Sequence, residues 1–194
     1  MLTQLSTIKS RLSILDTDTT NDALLTASIQ AVSSRFDREC SRTLARTENA
    51  NYEFDPEQTE LCPPCYPIES VTRFEFKTSE SAGWQEIMPA PDYLIRKSCV
   101  ISLVVPFRIP PAALRIQYFG GYVLPGTTPD AGQTPLPPDL EQAAVEQVAY
   151  WFQNREKLGA IRYWPKGGVY EQFADLDLLP SVRAVLYQYR RWQF

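Results

Sequence analysis

Along the first forty residues, apolar side chains recur every three or four positions. Leu5, Ile8, Leu12 and Leu15 follow Thr3, a usable N-cap, and predict a short amphipathic helix over about residues 4–14. The polar run Asp16–Asn21 breaks that pattern. Leu25, Ile29, Val32, Phe36 and Cys40 then form one apolar stripe at steps of three and four, predicting a second helix over about 22–42. Further on the period becomes two. Thr72, Phe74 and Phe76 alternate with Arg73, Glu75 and Lys77, as in a strand with one wet face. Tyr52 with Phe54, the run Cys99–Val105, and Leu114, Ile116 and Tyr118 add three strand candidates, and Ser79–Gly83 reads as a hairpin tip. A helical period returns at Leu140, Ala144, Val148, Trp151 and Phe152, with Asp139 and Gln142 placed as a capping box and Gly159 as a stop, so a third helix is expected over about 139–158. Pro180 opens a last helix over about 181–192, in which Val182, Val185, Leu186, Tyr189 and Trp192 repeat helically.

Proline and glycine sharpen the zoning. None of the 16 prolines or 8 glycines falls before residue 56, so helix is permitted at the start and discouraged in the middle. The stretch 123–138 is proline-rich and polar, and is expected to form a surface arm or linker. The fold expected is therefore mainly α with an inserted small antiparallel β unit, an α+β chain whose body is a helical bundle with an extended C-terminal helix. The β insertion would span about 47–122. The main domain would span 1–158 and a C-terminal extension 159–194.

Composition narrows function by exclusion. With 19 basic and 23 acidic residues the net charge is −4, so bulk charge does not favour phosphate neutralisation, and a primary DNA-binding role is not expected. There is no histidine, which removes Ser-His and Cys-His nucleophile pairs, histidine proton shuttles and His-containing metal sites. No window of about 18 apolar residues exists to span a membrane. Lys9 and Arg11 interrupt the apolar pattern of Met1–Leu15, which reads as helix rather than as a signal peptide. Four cysteines without a secretory signal are expected as free thiols in a protein made in the cytoplasm.

Two segments carry candidate chemistry. In Cys62-Pro63-Pro64-Cys65, thiol redox chemistry would need a helix N-terminus behind the first cysteine, yet Pro67 follows at once and a strand comes next. As a zinc site the motif is half a pattern; Cys62 and Cys65 would have to recruit the distant Cys40 and Cys99. The plain reading is two thiols in a tight proline turn. Lys166-Gly167-Gly168 and Gly120-Gly121 lack phosphate-loop spacing and read as turns. The C-terminal stretch concentrates Tyr187, Arg190, Arg191, Trp192 and Phe194, residue types enriched at interface hot spots. It either docks a partner or completes the chain's own core.

The order of several segments resembles tailed-phage head-to-tail connector proteins, also called adaptor or head-completion proteins. The segments are Leu2-Thr3-Gln4-Leu5 with Ile8, Lys9 and Leu12; Asp22 to Ala27-Ser28 and the helix end Cys40-Ser41-Arg42; Cys65-Tyr66-Pro67-Ile68-Glu69-Ser70-Val71; Asp92-Tyr93; Arg115 to Tyr122; and Pro137-Pro138-Asp139-Leu140 leading to Gln153-Asn154-Arg155. The resemblance covers about residues 1–158. It implies a structural virion protein and not an enzyme: a ring oligomer, usually of twelve copies, at the neck or head-tail junction. Such a ring joins the portal protein to a tail or stopper protein, and genomic DNA passes through its channel without sequence-specific binding. No cofactor and no membrane are implied. C-terminal segments would grip the portal, so Tyr187, Arg190, Arg191, Trp192 and Phe194 are the portal-interface candidates, and removing Tyr187–Phe194 should abolish portal binding while sparing the fold. An acidic protein suits a DNA channel, since a basic wall would hold the genome by counterion release. The competing readings are a tail-completion or terminator component on the tail side, and a thiol- or zinc-dependent protein built on Cys62 and Cys65.

Overall fold

The computed structural model describes residues 1–107, 113–156 and 177–191. In chain order the elements are α1 (Leu5–Arg11), α2 (Asp22–Cys40), β1 (Thr47–Phe54), β2 (Glu60–Leu61), β3 (Ile68–Lys77), β4 (Gln85–Glu86), β5 (Tyr93–Arg96), β6 (Val100–Leu103), β7 (Ala113–Gly120), β8 (Tyr122–Val123), β9 (Thr134–Pro135), α3 (Pro138–Gln153) and α4 (Pro180–Gln188). They fall into two compact units. One comprises Met1–Cys40 with Leu136–Arg190, the other Ser41–Pro135 with Arg191–Phe194.

This corrects the expected fold class. The chain is α+β with about 27% strand in several sheets, most of it antiparallel, rather than a helical-bundle body carrying a small insertion. The β residues form a unit with a core of its own. The C-terminal helix is also shorter than its period predicts. It ends at Gln188, where Tyr189 and Arg190 leave the helix and turn their side chains to Asp139 and Glu39.

The helical unit is built on the predicted stripe. Leu25, Ile29, Val32, Phe36 and Cys40 of α2 are all buried, together with Leu140, Ala144 and Val148 of α3 and Val182 and Leu186 of α4. α3 begins one residue earlier than the capping-box pattern predicts, because Pro137 and Pro138 take the N-cap and first helical positions, where a missing N–H costs nothing. Lys9, 3% exposed, is neutralised by Asp22 at 2.6 Å and donates to the Asp16 carbonyl at 3.2 Å, which closes the polar loop between α1 and α2. The approach to α4 is held by a buried amide. Gln147 Oε1 accepts from the Leu179 N–H at 2.8 Å while its Nε2 donates to the Asp177 carbonyl at 3.4 Å. Asp177 in turn pairs with Arg35 and Arg183. Among the described residues no helix is long and apolar enough to cross a membrane.

The β unit holds a four-stranded antiparallel sheet, β1-β7-β3-β4, and a three-stranded antiparallel sheet, β2-β6-β5. Phe54, Phe74, Leu114, Ile116 and Tyr118 from the first sheet and Leu61, Ile101 and Leu103 from the second form one core. Tilted ring contacts join Phe74 to Tyr93 (5.6 Å) and to Phe107 (6.1 Å). Arg46 clamps the start of β1 to β3 through a two-point pair with Glu69, at 2.8 and 3.1 Å. The proline-rich arm is tied at both ends. Thr134–Pro135 pairs in parallel with Tyr122–Val123, and residues 126–132 between them are exposed.

Candidate interaction surfaces

The Cys62–Cys65 turn is a packing device. Cys65 is buried, and its thiol donates to the Gly120 carbonyl at 3.0 Å and lies 3.5 Å from that of Ala45. Its backbone N–H donates to the Tyr118 hydroxyl at 3.1 Å, and the Pro64 carbonyl accepts from the Thr43 N–H. The fit requires glycine opposite: a Cβ on Gly120 would stand 2.4 Å from the Cys65 carbonyl oxygen. Burial pushes the Cys62 thiol above its ordinary range, with the Arg191 charge opposing, so Cys62 is held as the thiol rather than the reactive thiolate. Among the described residues no three Cys, Asp or Glu side chains converge to hold a metal ion.

Two arginines grip this turn, and spacing gave no sign of either contact. Arg42, 4% exposed, donates to the Tyr66 carbonyl and stacks on the Tyr66 ring at 3.3 Å, with the Tyr122 ring at 5.2 Å. Arg191 donates to the Cys62 carbonyl and lies 5.9 Å from the Tyr52 ring. Each guanidinium is met by a carbonyl and aromatic rings instead of a carboxylate, and the Nε of each is buried without a hydrogen-bond partner. The only sequence signal for such a pairing is the aromatic richness around Tyr52, Tyr66 and Tyr122.

The C-terminal candidates separate into three groups. Tyr187 is 72% exposed on α4 and stands clear of the core. Arg190 pairs with Glu39 at 3.4 Å and donates to its carbonyl, and Arg191 is engaged as described. Trp192 and Phe194 lie outside the described residues. Tyr189, placed in the helical repeat of the expected last helix, donates its hydroxyl to Asp139 at 2.8 Å. Residues 189–191 therefore make contacts with other segments of the chain itself, Tyr189 with Asp139, Arg190 with Glu39 and Arg191 with the Cys62 carbonyl. The exposed residues of α4 include Ser181, Arg183, Ala184, Tyr187 and Gln188, of which Arg183 and Tyr187 are the cation and the aromatic.

No family model matches the sequence, and no curated protein does. Solved structures do. The chain is similar to a chain in the neck of an empty gene transfer agent (GTA) particle computed with C6 symmetry, at TM-score 0.62 and 13% identity, covering 97% of this chain and 89% of that one. A chain in the virion of a native GTA particle matches with TM-score 0.58 and 14% identity over the same shares. A chain in the neck of a native GTA particle computed with C12 symmetry gives 0.53 and 14%, covering 89% of this chain and 84% of that one. At these identities the likeness establishes the fold, and it extends over both units.

Proposed function

We propose that this chain is a structural subunit of a virion neck. It acts by assembly, as a ring of twelve copies between the portal of the capsid and the tail or its stopper, around the passage for DNA, and it catalyses no reaction. One observation carries the reading: a chain in a particle neck shares this fold across 97% of the sequence. The C6 and C12 symmetries of the matching neck structures support a subunit repeated by rotation. The packing of Cys62 and Cys65 supports a structural over a thiol-dependent role, because the first thiol is held protonated by burial and the second is committed to backbone carbonyls.

In this reading α4 meets the portal through Arg183 and Tyr187, its exposed aromatic and cation, the residue types that dominate hot spots. Co-sedimentation with portal-bearing, tail-less capsids tests it. Wild-type chain should pellet with the capsids, and Tyr187→Ala should weaken binding about tenfold while leaving the melting curve unchanged. Binding to isolated tails and not to capsids would move the chain to the tail side of the junction.

A further inference from the structure

The outer face of the three-stranded sheet carries exposed apolar side chains beside an ion pair, Arg96 with Glu60, which stands opposite Ser102. Ile101 and Leu103 of β6 are buried inward, so alternation places Val100, Ser102 and Val104 outward. Leu94 stands opposite Ser102 and Arg96 opposite Val100. Leu94 is 65% exposed and Val104 64%. Between them the Ser102 hydroxyl is covered and has no hydrogen-bond partner.

Among the described residues β5 is also an edge of that sheet, with no strand paired on its other side. The Val104 N–H donates to the Asp92 carbonyl at 3.1 Å, which sets the phase of the ladder. Asp92, Leu94 and Arg96 turn their backbone groups to β6, and those of Tyr93 and Ile95 point off the sheet. An edge strand beside exposed apolar side chains such as Leu94 invites pairing with another chain.

The same unit carries a complement. Among the described residues β1 is one edge of the four-stranded sheet and β4 the other. Exposed Glu53 near its end is followed by exposed Asp55 and Glu57, and none of the three forms an ion pair among the described residues. β5 ends in exposed Arg96 and Lys97, with Asp92 at its other end. Arg96 is partly satisfied by Glu60 at 3.0 Å, both side chains 62% exposed, whereas Lys97 has no such partner among the described residues. Laying the two edges in the same direction puts Arg96 and Lys97 beside Glu53 and Asp55. It carries Asp92 toward the Arg46 end of β1, away from those acids.

We infer that the β5 edge and the outer face with Leu94 and Val104 dock on the β1 edge of a second copy of this chain. Two different edges meet, so the contact is heterologous, and repetition by rotation closes a ring. The contact relies on the neck reading for its setting and names the surfaces through which neighbouring copies would touch.

The test uses the full chain, with copies bound per portal-bearing capsid and sedimentation equilibrium of the free chain as its two readouts. Leu94→Glu should cut assembly about tenfold or more, the scale of losing one buried leucine contact. Lys97→Glu and Glu53→Lys should each weaken it about fivefold, and the double variant, which restores opposite charges in every contact, should assemble to within about twofold of wild type. These are surface positions, and unchanged circular-dichroism melts establish that the variants fold. If wild-type rings form on capsids and Leu94→Glu and both single reversals assemble equally well, this contact is wrong and the neck reading stands. If wild type ignores capsids, the neck reading falls. The contact then survives only if the free chain self-associates and Leu94→Glu abolishes it; a chain monomeric in both assays overturns the contact as well.

Discussion

The two units neutralise their buried cations differently. In the helical unit Lys9 meets a carboxylate, and the exposed cations Arg183 and Arg190 also pair with acids. In the β unit the buried Arg42, and Arg191 with it, are set against backbone carbonyls and tyrosine rings, whereas the half-buried Arg46 and Arg115 pair with Glu69 and Glu75, and Leu94 and Val104 face outward. The contrast teaches where each unit's strength lies. A helix satisfies its own backbone, so side chains of the helical unit are free to pair with one another. A β unit with short strands has many turn carbonyls to satisfy, and here long cations from distant positions do it. It is also the unit that exposes Leu94 and Val104 and whose sheets have β1 and β5 at their edges.

Four perturbations separate the units, in falling order of effect. Phe36→Ala empties the centre of the helical unit and should cost about 3–5 kcal/mol in urea unfolding. Lys9→Ala leaves Asp22 without its cation in a partly buried site, with an expected loss of about 3 kcal/mol, a little below that for deleting a core ring. Tyr118→Phe acts only in the β unit. It strips the acceptor from the buried Cys65 N–H, and a loss of about 1–3 kcal/mol is expected from the same titration.

The smallest effect is a pH dependence. Burial holds the phenols of Tyr118 and Tyr66 above their ordinary range, although the Cys65 N–H and the Arg42 charge respectively oppose it. Above about pH 10 the unfolded chain ionises these phenols and the folded chain does not, so the unfolded state binds fewer protons and stability falls as pH rises. Urea midpoints at about pH 8 and about pH 10.5 should show the decline, and Tyr118→Phe should flatten it. A decline of equal slope in Tyr118→Phe would assign it to other groups.

How much was legible in the sequence follows from the length of each pattern. The α2 stripe runs through five turns, and all five of its residues are buried. β2, β4, β8 and β9 have two residues each, too few to show a period. Of these only β4 is signalled, by the hairpin tip Ser79–Gly83 before it, and without the others the β unit looks like a small insertion. Asp139 reads as a cap but lies inside the helix, because Pro138 takes the first helical position and its carboxylate is then free for Tyr189. The role of the Cys62–Cys65 turn depends on Tyr118 and Gly120, more than fifty positions away, and no local spacing encodes that. At the C-terminus the enrichment of tyrosine and arginine was visible. Which of them are tied to the rest of the chain was decided by Glu39, Asp139 and the Cys62 carbonyl, partners from three other segments.

The most direct test of the central claim is electron cryomicroscopy of the particle vertex after adding this chain to portal-bearing, tail-less capsids. The neck reading predicts a ring of density against the portal into which both units fit, and the inferred edge contact adds that β5 of each copy turns toward β1 of the next. Vertices without added density, with the chain folded and the portal intact, would contradict it.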